Sequence, residues 1–148
     1  HRLVDEGRFQ DAIAELTTAV GHDTRNSSVW LLLGELYAMA GHLEPAASYL
    51  QKGVREDYTN MRGWTMLANA YAQIGGVHLE LAMEQIEMAL GINADVDDLH
   101  YIKGNVLAQL GDAQSAVASF KRCLELKPGH PLATRDLQTL TGPAKPAS

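Results

Sequence analysis

Apolar residues recur along the chain at the three- and four-residue spacing of an amphipathic helix. One stretch carries Trp30, Leu33 and Tyr37, and the next carries Ala46 and Leu50. This spacing places the apolar side chains of each stretch on one face, where they can pack against a neighbour. The pattern therefore predicts a succession of helices with buried inner faces and polar outer faces.

Glycine-containing turns separate the predicted helices in pairs. They fall at Gly41-His42, Gly75-Gly76 and Gly111-Asp112. Glycine tolerates the left-handed backbone conformation that ends a helix. Pro45 suits the first turn of a second helix, where a missing N–H costs nothing. The sequence thus predicts helical hairpins with short connections.

The hairpins repeat with a fixed period. Trp30 and Trp64 are 34 residues apart, as are Gly41 and Gly75. Gly75 and Gly111 are 36 residues apart, so the turn after Gly75 contains a two-residue insertion. A period of this length is typical of repeat proteins that stack identical hairpins.

The repeated residues resemble the tetratricopeptide repeat. The second and third repeats read Trp30-x-x-Leu33-Gly34-x-x-Tyr37 and Trp64-x-x-Leu67-Ala68-x-x-Tyr71, followed by Ala46 and Ala82. The fourth keeps a small residue at Gly104 but carries His100 at the tryptophan position and Lys103 at the leucine position. We expect this repeat to pack differently from the others.

The resemblance implies an all-α fold, a right-handed α-solenoid of antiparallel helix pairs. We expect a single domain over residues 1–140, made of a partial repeat and three complete ones. The partial repeat is 1–26, the complete repeats are 27–60, 61–96 and 97–130, and a capping helix follows at 131–140. Residues 141–148 are predicted to be disordered. Because residue 1 falls within a repeat, we expect the chain to be part of a longer protein.

Composition narrows the function classes. The formal charge of −6 argues against nucleic acid as a partner, since such binding needs a basic surface. No apolar run is long enough to span a bilayer, so we expect no direct membrane insertion. The compartment stays open, and both the cytoplasm and the periplasm fit.

Catalytic and metal-binding signals are weak. Six histidines and one cysteine are present, but no histidine pair has helical zinc-site spacing. Cys123 falls in a small-residue slot and is predicted to be a buried packing residue. Asp95, Asp97 and Asp98 lack a calcium-loop pattern and are interpreted as charges at a helix N-terminus. We predict no metal, no cofactor and no enzymatic activity.

The remaining prediction is partner binding. In tetratricopeptide-like proteins the first helix of each pair lines a concave groove that holds peptides. The corresponding positions are Leu31, Leu32, Glu35, Met39, Thr65, Met66, Asn69, Gln73, Tyr101, Ile102, Asn105 and Gln109. Asn69 and Asn105 could grip an extended peptide backbone, since amides both donate and accept. The alternative is that these are ordinary solvated residues.

One family specialisation is disfavoured. Relatives that bind the carboxyl termini of heat-shock chaperones use Lys, Arg and Asn at defined groove positions. In this sequence those positions are Leu31, Glu35, Met66, Asp98 and Ile102. The two acidic residues would repel carboxylates.

Three functional hypotheses follow. The first is a scaffold that holds a partner protein's segment in the groove, with Leu32, Met66 and Tyr101 as anchors, in a bacterial assembly, secretion or envelope complex. The second is a regulatory or oligomerising arm of a larger enzyme or membrane machine that works through its convex or end surfaces. The third is self-association through the apolar face of the partial repeat, formed by Val4, Phe9, Ile13 and Leu16.

Overall fold

The computed structural model describes residues 10–18 and 26–141, and these fall in two compact units, residues 1–74 and 75–148. The first unit contains part of a helix at residues 10–18 (α1), α2 (Ser27–Met39), α3 (Leu43–Glu56) and α4 (Met61–Ile74). The second contains α5 (His78–Ile92), α6 (Asp97–Gln109), α7 (Ala113–Leu126) and α8 (Pro131–Thr141). All regular structure in the described ranges is helical, which confirms the all-α class.

Two of the predicted turns adopt the same helix-ending geometry. The amides of Gly41 and His42 donate to the carbonyls of Ala38 and Tyr37, and the amides at 111 and 112 repeat both bonds. Gly41 has φ +85° and Gly111 has φ +90°. This is the Schellman arrangement, which needs a left-handed residue after the helix.

A glycine on the first helix of the pair allows a close approach in α2–α3 and in α6–α7. A Cβ atom at Gly34 would lie 2.5 Å from Leu50 Cγ, and one at Gly104 would lie 2.6 Å from Cε1 of the Phe120 ring. Leu50 and Phe120 are fully buried. In α2–α3 and in α6–α7, the small residue therefore lets a large side chain of the second helix reach the first.

Part of the apolar face of α1 is buried inside the first unit. Ile13 is buried in a cluster with Trp30 and Leu33, and Leu16 packs against that cluster. Val4 and Phe9, the other two residues predicted for self-association, lie outside the described residues. Self-association remains an untested prediction.

In the fourth repeat, His100 keeps the polar contact that tryptophan makes at the same position of the third repeat. The Trp64 indole Nε1 donates to the carbonyl of Tyr58 at 2.7 Å, six residues earlier. His100 Nε2 makes the corresponding bond to the carbonyl of Ala94, also at 2.7 Å and six residues earlier. Lys103 reaches Glu87 Oε1 at 2.8 Å. The two departures thus place polar contacts where the other repeats have buried apolar side chains.

Helix α8 packs on α7. Ala133 is buried with Phe120 and Cys123. Burial raises the pKa of the Cys123 thiol to about 11, with Asp97 and Asp98 adding to the effect. The burial of Cys123 confirms the prediction that it is a packing residue. Thr141 is the last residue of α8, and the remainder of the predicted tail, 142–148, lies outside the described residues.

None of the described helices has the length and apolar character needed to cross a membrane.

Candidate functional site

Two cavities among the described residues, one in each unit, lie between successive first helices of the repeats or the capping helix. The first-unit cavity, of about 240 Å³, lies between α2 and α4 and is lined by Glu35, Ala38, Met39, Leu43, Leu50, Met66, Asn69, Ala70 and Gln73. The second-unit cavity, of about 280 Å³, lies between α6 and α8 and is lined by Asn105, Ala108, Gln109, Phe120, Asp136, Thr139 and Leu140. Both volumes are large enough for one side chain of a partner.

The two cavities are equivalent by sequence repetition. Every residue lining the second-unit cavity lies 70 positions after a residue lining the first. Glu35 thus corresponds to Asn105, and Met66 to Asp136. Ala38 and Ala108 keep the same identity, and Leu50 and Phe120 are the two buried side chains beneath the cavities. The same backbone frame therefore carries two different linings.

The first-unit cavity is lined mainly by apolar side chains. Met39 is 74% exposed, so its thioether stands at the surface. The carboxylate of Glu35 is ion-paired with Arg62 on α4, which offsets its charge. Asn69 and Gln73 are exposed and add amide groups on the α4 side. The cavity offers flexible apolar contacts with hydrogen-bonding groups beside them.

The second-unit cavity is bordered by a continuous chain of hydrogen bonds. Gln109 Nε2 donates to Asn105 Oδ1 at 2.6 Å, and Asn105 is hydrogen-bonded to the phenol of Tyr101. The Tyr101 hydroxyl donates to Asp136 Oδ2 at 2.7 Å, and Arg135 Nε donates to Asp136 Oδ1 at 3.0 Å. These bonds join α6 to α8.

The environment of Tyr101 keeps its phenol protonated. Burial raises its pKa most, and the hydrogen bond and negative charge of Asp136 raise it further. The hydrogen bond from Asn105 and the charge of Arg135 act in the opposite direction. A neutral phenol is required for Tyr101 to donate to the carboxylate. The ring also stacks on His130, with centroids 5.3 Å apart.

The twelve predicted groove residues divide into three groups. Five line the first-unit cavity, namely Glu35, Met39, Met66, Asn69 and Gln73. Asn105 and Gln109 line the second-unit cavity, while Tyr101 joins α6 to α8. Leu32 is exposed, Thr65 is half-buried and donates to the carbonyl of Met61, and Leu31 and Ile102 are buried. Asn69 and Asn105 belong to different units, so their joint grip on a peptide stays a prediction.

Leu31 differs from its predicted place on an open groove, and the reason is local. It is only 6% exposed. A Cβ atom at Gly53 would meet Leu31 Cδ2 at 2.5 Å, and one at Gly63 would meet it at 3.0 Å. The isobutyl group fills the space that these two glycines leave, so Leu31 belongs to the core of the first unit.

The groove prediction omitted the residues contributed by α8. Asp136 and Thr139 line the second-unit cavity, and Arg135 completes the hydrogen-bond chain. A sequence signal for them exists. Asp136 lies 34 positions after Ile102, and Thr139 lies 34 positions after Asn105. Extending the period once more into the capping helix would have identified both.

One group of metal-ligand side chains occurs within residues 10–18 and 26–141, formed by Asp97, Asp98 and His130. His130 Nδ1 accepts a hydrogen bond from the amide of Ala133 at 3.2 Å, and Nε2 lies 2.9 Å from Asp98 Oδ1. Neutral imidazole carries one N–H, so Nε2 holds the proton and has no lone pair for a metal. The group instead caps α8. Asp97 and Asp98 occupy the first turn of α6, which confirms their interpretation as helix N-terminal charges.

Comparisons with known proteins agree with this architecture. Two family models, each described as a tetratricopeptide repeat, match residues 3–74 and 97–130. A search of curated proteins found no significant match.

Several solved structures share the fold. MamA matches with a TM-score of 0.82 at 24% identity, covering 94% of this chain and 80% of that one. The first TPR of Spaghetti (RPAP3), bound to the HSP90 peptide SRMEEVD, matches with a TM-score of 0.72 at 24% identity, covering 80% and 92%. YrrB, described as a TPR protein with an unusual peptide-binding site, matches with a TM-score of 0.79 at 19% identity, covering 90% and 68%.

Proposed function

We propose, since the chain belongs to the tetratricopeptide repeat family, that this interaction scaffold holds a segment of a partner protein in the cavities of its first helices. Proteins of this family are typically non-catalytic interaction modules, and we propose the same for this chain. Two of the structural neighbours are described with a bound peptide or a peptide-binding site.

The observation that carries the proposal is the lining of the first-unit cavity. Met39 and Met66 come from two successive first helices and border the same space. Methionine side chains adapt to the shape of what they contact, and an exposed methionine beside a cavity favours binding of an apolar side chain. Asn69 and Gln73 would hydrogen-bond the partner's backbone next to it.

The charges of this surface favour an uncharged or weakly basic segment. Glu35 is the charged residue among those lining the first-unit cavity, and Asp136 is the charged residue among those lining the second. A carboxylate-rich tail would meet an acidic side chain at both places. The chaperone-tail specialisation therefore stays disfavoured.

A peptide-display selection on the full chain would test the proposal. Twelve-residue peptides enriched on the wild-type protein would be synthesised and their affinities measured by fluorescence anisotropy. Met39→Asp is the groove variant, because Met39 is 74% exposed and its replacement does not disturb the core. Leu132→Asp on α8 is the matched control, since Leu132 is 42% exposed and lies outside both cavities.

We expect Met39→Asp to weaken binding at least tenfold, about 1.4 kcal/mol, because a charge would enter an apolar contact. Leu132→Asp should leave the affinity unchanged. Enriched peptides that bind the wild type and both variants equally would refute binding in the groove. Failure to enrich any peptide would refute it as well.

We propose a bacterial assembly, secretion or envelope complex as the setting. The support is compositional, an Ala- and Leu-rich chain with only 5 lysines. Affinity purification of the tagged protein from its own cells, with and without Met39→Asp, would test this. Recovery of no component of such a complex would contradict it.

A further inference from the structure

Helix α5 carries apolar side chains on its outer face as well as on its inner one. Ala82, Ile86 and Ala89 are fully buried on the inner face. Leu81, Met88 and Ile92, which lie roughly a third of a turn around the helix from this face, are 38%, 57% and 43% exposed, and Val77 precedes them at the helix N-terminus. Their spacing of four, seven and four residues places all four on one side of the helix. We call these four residues the α5 outer face.

The second helices of the other repeats provide internal controls. The position of Met88 is Lys52 in α3 and Arg122 in α7, and the position of Leu81 is Ser115 in α7. Lys52 lies over the Trp30 ring at 4.7 Å, and Arg122 pairs with Asp95 at 3.1 Å. A cation that contacts another residue of the chain is thus replaced in α5 by an exposed thioether.

The same helix lies in a stretch without cationic side chains. No lysine or arginine occurs between Arg62 and Lys103. Glu80 and Glu84 are exposed on α5, and Glu87 is paired with Lys103 on α6. The α5 outer face is therefore an apolar strip bordered by negative charge.

We propose that the α5 outer face docks an amphipathic helix of a partner protein whose apolar stripe is flanked by lysine or arginine. An apolar strip on a helix is complementary to another helix. The border of Glu80 and Glu84 selects a basic partner and increases its association rate. A second copy of α5 would bring Glu84 against glutamates, and an anionic membrane would be repelled in the same way.

This surface lies on a second helix and shares no residue with the two cavities. The proposal is therefore separate from the groove function, and the two can fail independently. A Leu32→Gln/Met39→Gln protein serves as the groove-side control for every measurement below.

The probe is an 18-residue helical peptide with leucines on one face and lysines beside them. A peptide with glutamates in place of the lysines tests charge selection, and a scrambled leucine–lysine peptide tests the need for a helix face. Binding to the full chain is measured by fluorescence anisotropy at 50 mM and 300 mM salt. The variants are Leu81→Ser/Met88→Gln/Ile92→Gln and Glu80→Gln/Glu84→Gln, each checked for helicity and melting temperature.

We expect the triple variant to weaken binding at least tenfold and the double glutamate variant to weaken it about threefold with a smaller salt dependence. The groove-side control should bind like the wild type. Absence of binding, equal binding by the triple variant, or equal binding of the glutamate or scrambled peptide would overturn the proposal.

Two further measurements exclude other occupants. Sedimentation that shows dimers of the wild type and monomers of the triple variant would assign the face to a second copy and overturn the proposal. Binding to vesicles of phosphatidylcholine and phosphatidylglycerol that the triple variant abolishes would do the same. If the triple variant does not fold, a photo-crosslinking residue at position 88 of the otherwise unchanged chain must capture the leucine–lysine peptide.

Discussion

The two cavities are lined by the same positions of the repeat, 70 residues apart. They differ in whether the lining side chains are hydrogen-bonded to one another. In the first unit, Met39 and Met66 border an apolar space. In the second, the corresponding residues are Gln109 and Asp136, which are linked through Asn105 and Tyr101. The backbone frame is retained, so the difference is one of side chains alone.

The lining residues of the second-unit cavity hold the capping helix in place, whereas those of the first-unit cavity do not. The hydrogen-bonding groups of the second-unit cavity are largely satisfied by one another, and their bonds hold α8 against α6. In the described contacts, the methionines of the first-unit cavity make no hydrogen bonds of this kind between helices. The groove residues next to the capping helix thus stabilise the contact between α6 and α8, whereas we propose that those of the first unit contact a partner.

Truncating the buried side chain beneath each cavity should produce the largest effects. We expect Phe120→Ala to lower the free energy of unfolding by about 3–5 kcal/mol and Leu50→Ala by about 2–5 kcal/mol, because both leave a cavity in a packed interior. Urea denaturation measures both losses. A loss below about 2 kcal/mol for either variant would contradict the packed interior assigned to that cavity floor.

Cys123 supplies a control that reports on the second unit alone. It is the chain's single cysteine and is buried in one cluster with Phe120. Phe120→Ala should therefore accelerate the reaction of Cys123 with a thiol reagent more than Leu50→Ala does. Equal acceleration would show that the two substitutions open the same region.

The close approach at Gly104 should give an intermediate effect. A Cβ atom there would lie within 2.9 Å of three atoms of the Phe120 ring, so we expect Gly104→Ala to cost about 1–3 kcal/mol. The third repeat carries Ala68 and Ile86 at the corresponding positions. The pair Gly104→Ala/Phe120→Ile should therefore be less damaging than the sum of its single substitutions, and additive losses in thermal denaturation would contradict the clash.

The contact between Tyr101 and Asp136 should give the smallest effect. A double-mutant cycle with Tyr101→Phe and Asp136→Asn should yield a coupling of about 1 kcal/mol, the net contribution of a typical intramolecular hydrogen bond, because this bond is only partly buried. Thr65→Val is the first-unit control, because Thr65 bonds only to its own helix in the described contacts. A coupling near zero would mean that α8 is not held by this bond.

The same pair predicts a pH dependence. The pKa of Tyr101 is raised in the folded chain, so its contribution to stability is complete below the ordinary tyrosine pKa of about 10 and is lost as the pH rises through the folded value. The stability difference between wild type and Tyr101→Phe should be constant from pH 7 to pH 9 and shrink above pH 10. A difference that grows in alkali would reverse the assigned direction.

The fold could be predicted from the sequence because it is repeated. The tryptophan, tyrosine and glycine positions marked the helices and turns independently in several repeats, and the structure places helix ends beside Gly41 and Gly111 as expected. Repetition also indicated the small residues at Gly34 and Gly104. Each of these signals depends on contacts inside one hairpin, which a local pattern can encode.

The candidate site was predictable only in part, because its details depend on contacts between elements. Leu31 is buried by the absence of side chains at Gly53 and Gly63, two positions on other helices. Tyr101 was expected to contact a partner, but its hydroxyl is bound to Asp136 on α8. Period and spacing place a residue on a face, and the neighbouring helix decides what that face contacts.

Asp136 also determines which atoms its neighbours present to the solvent. A carboxylate can only accept, so Tyr101 must donate to it and Asn105 must donate to Tyr101. This leaves the Asn105 oxygen to accept from Gln109. One negative charge on α8 therefore sets the direction of three side chains on α6, and removing it would free the two amides to invert. A residue of α8 consequently determines which donors and acceptors the α6 side chains present at the mouth of that cavity.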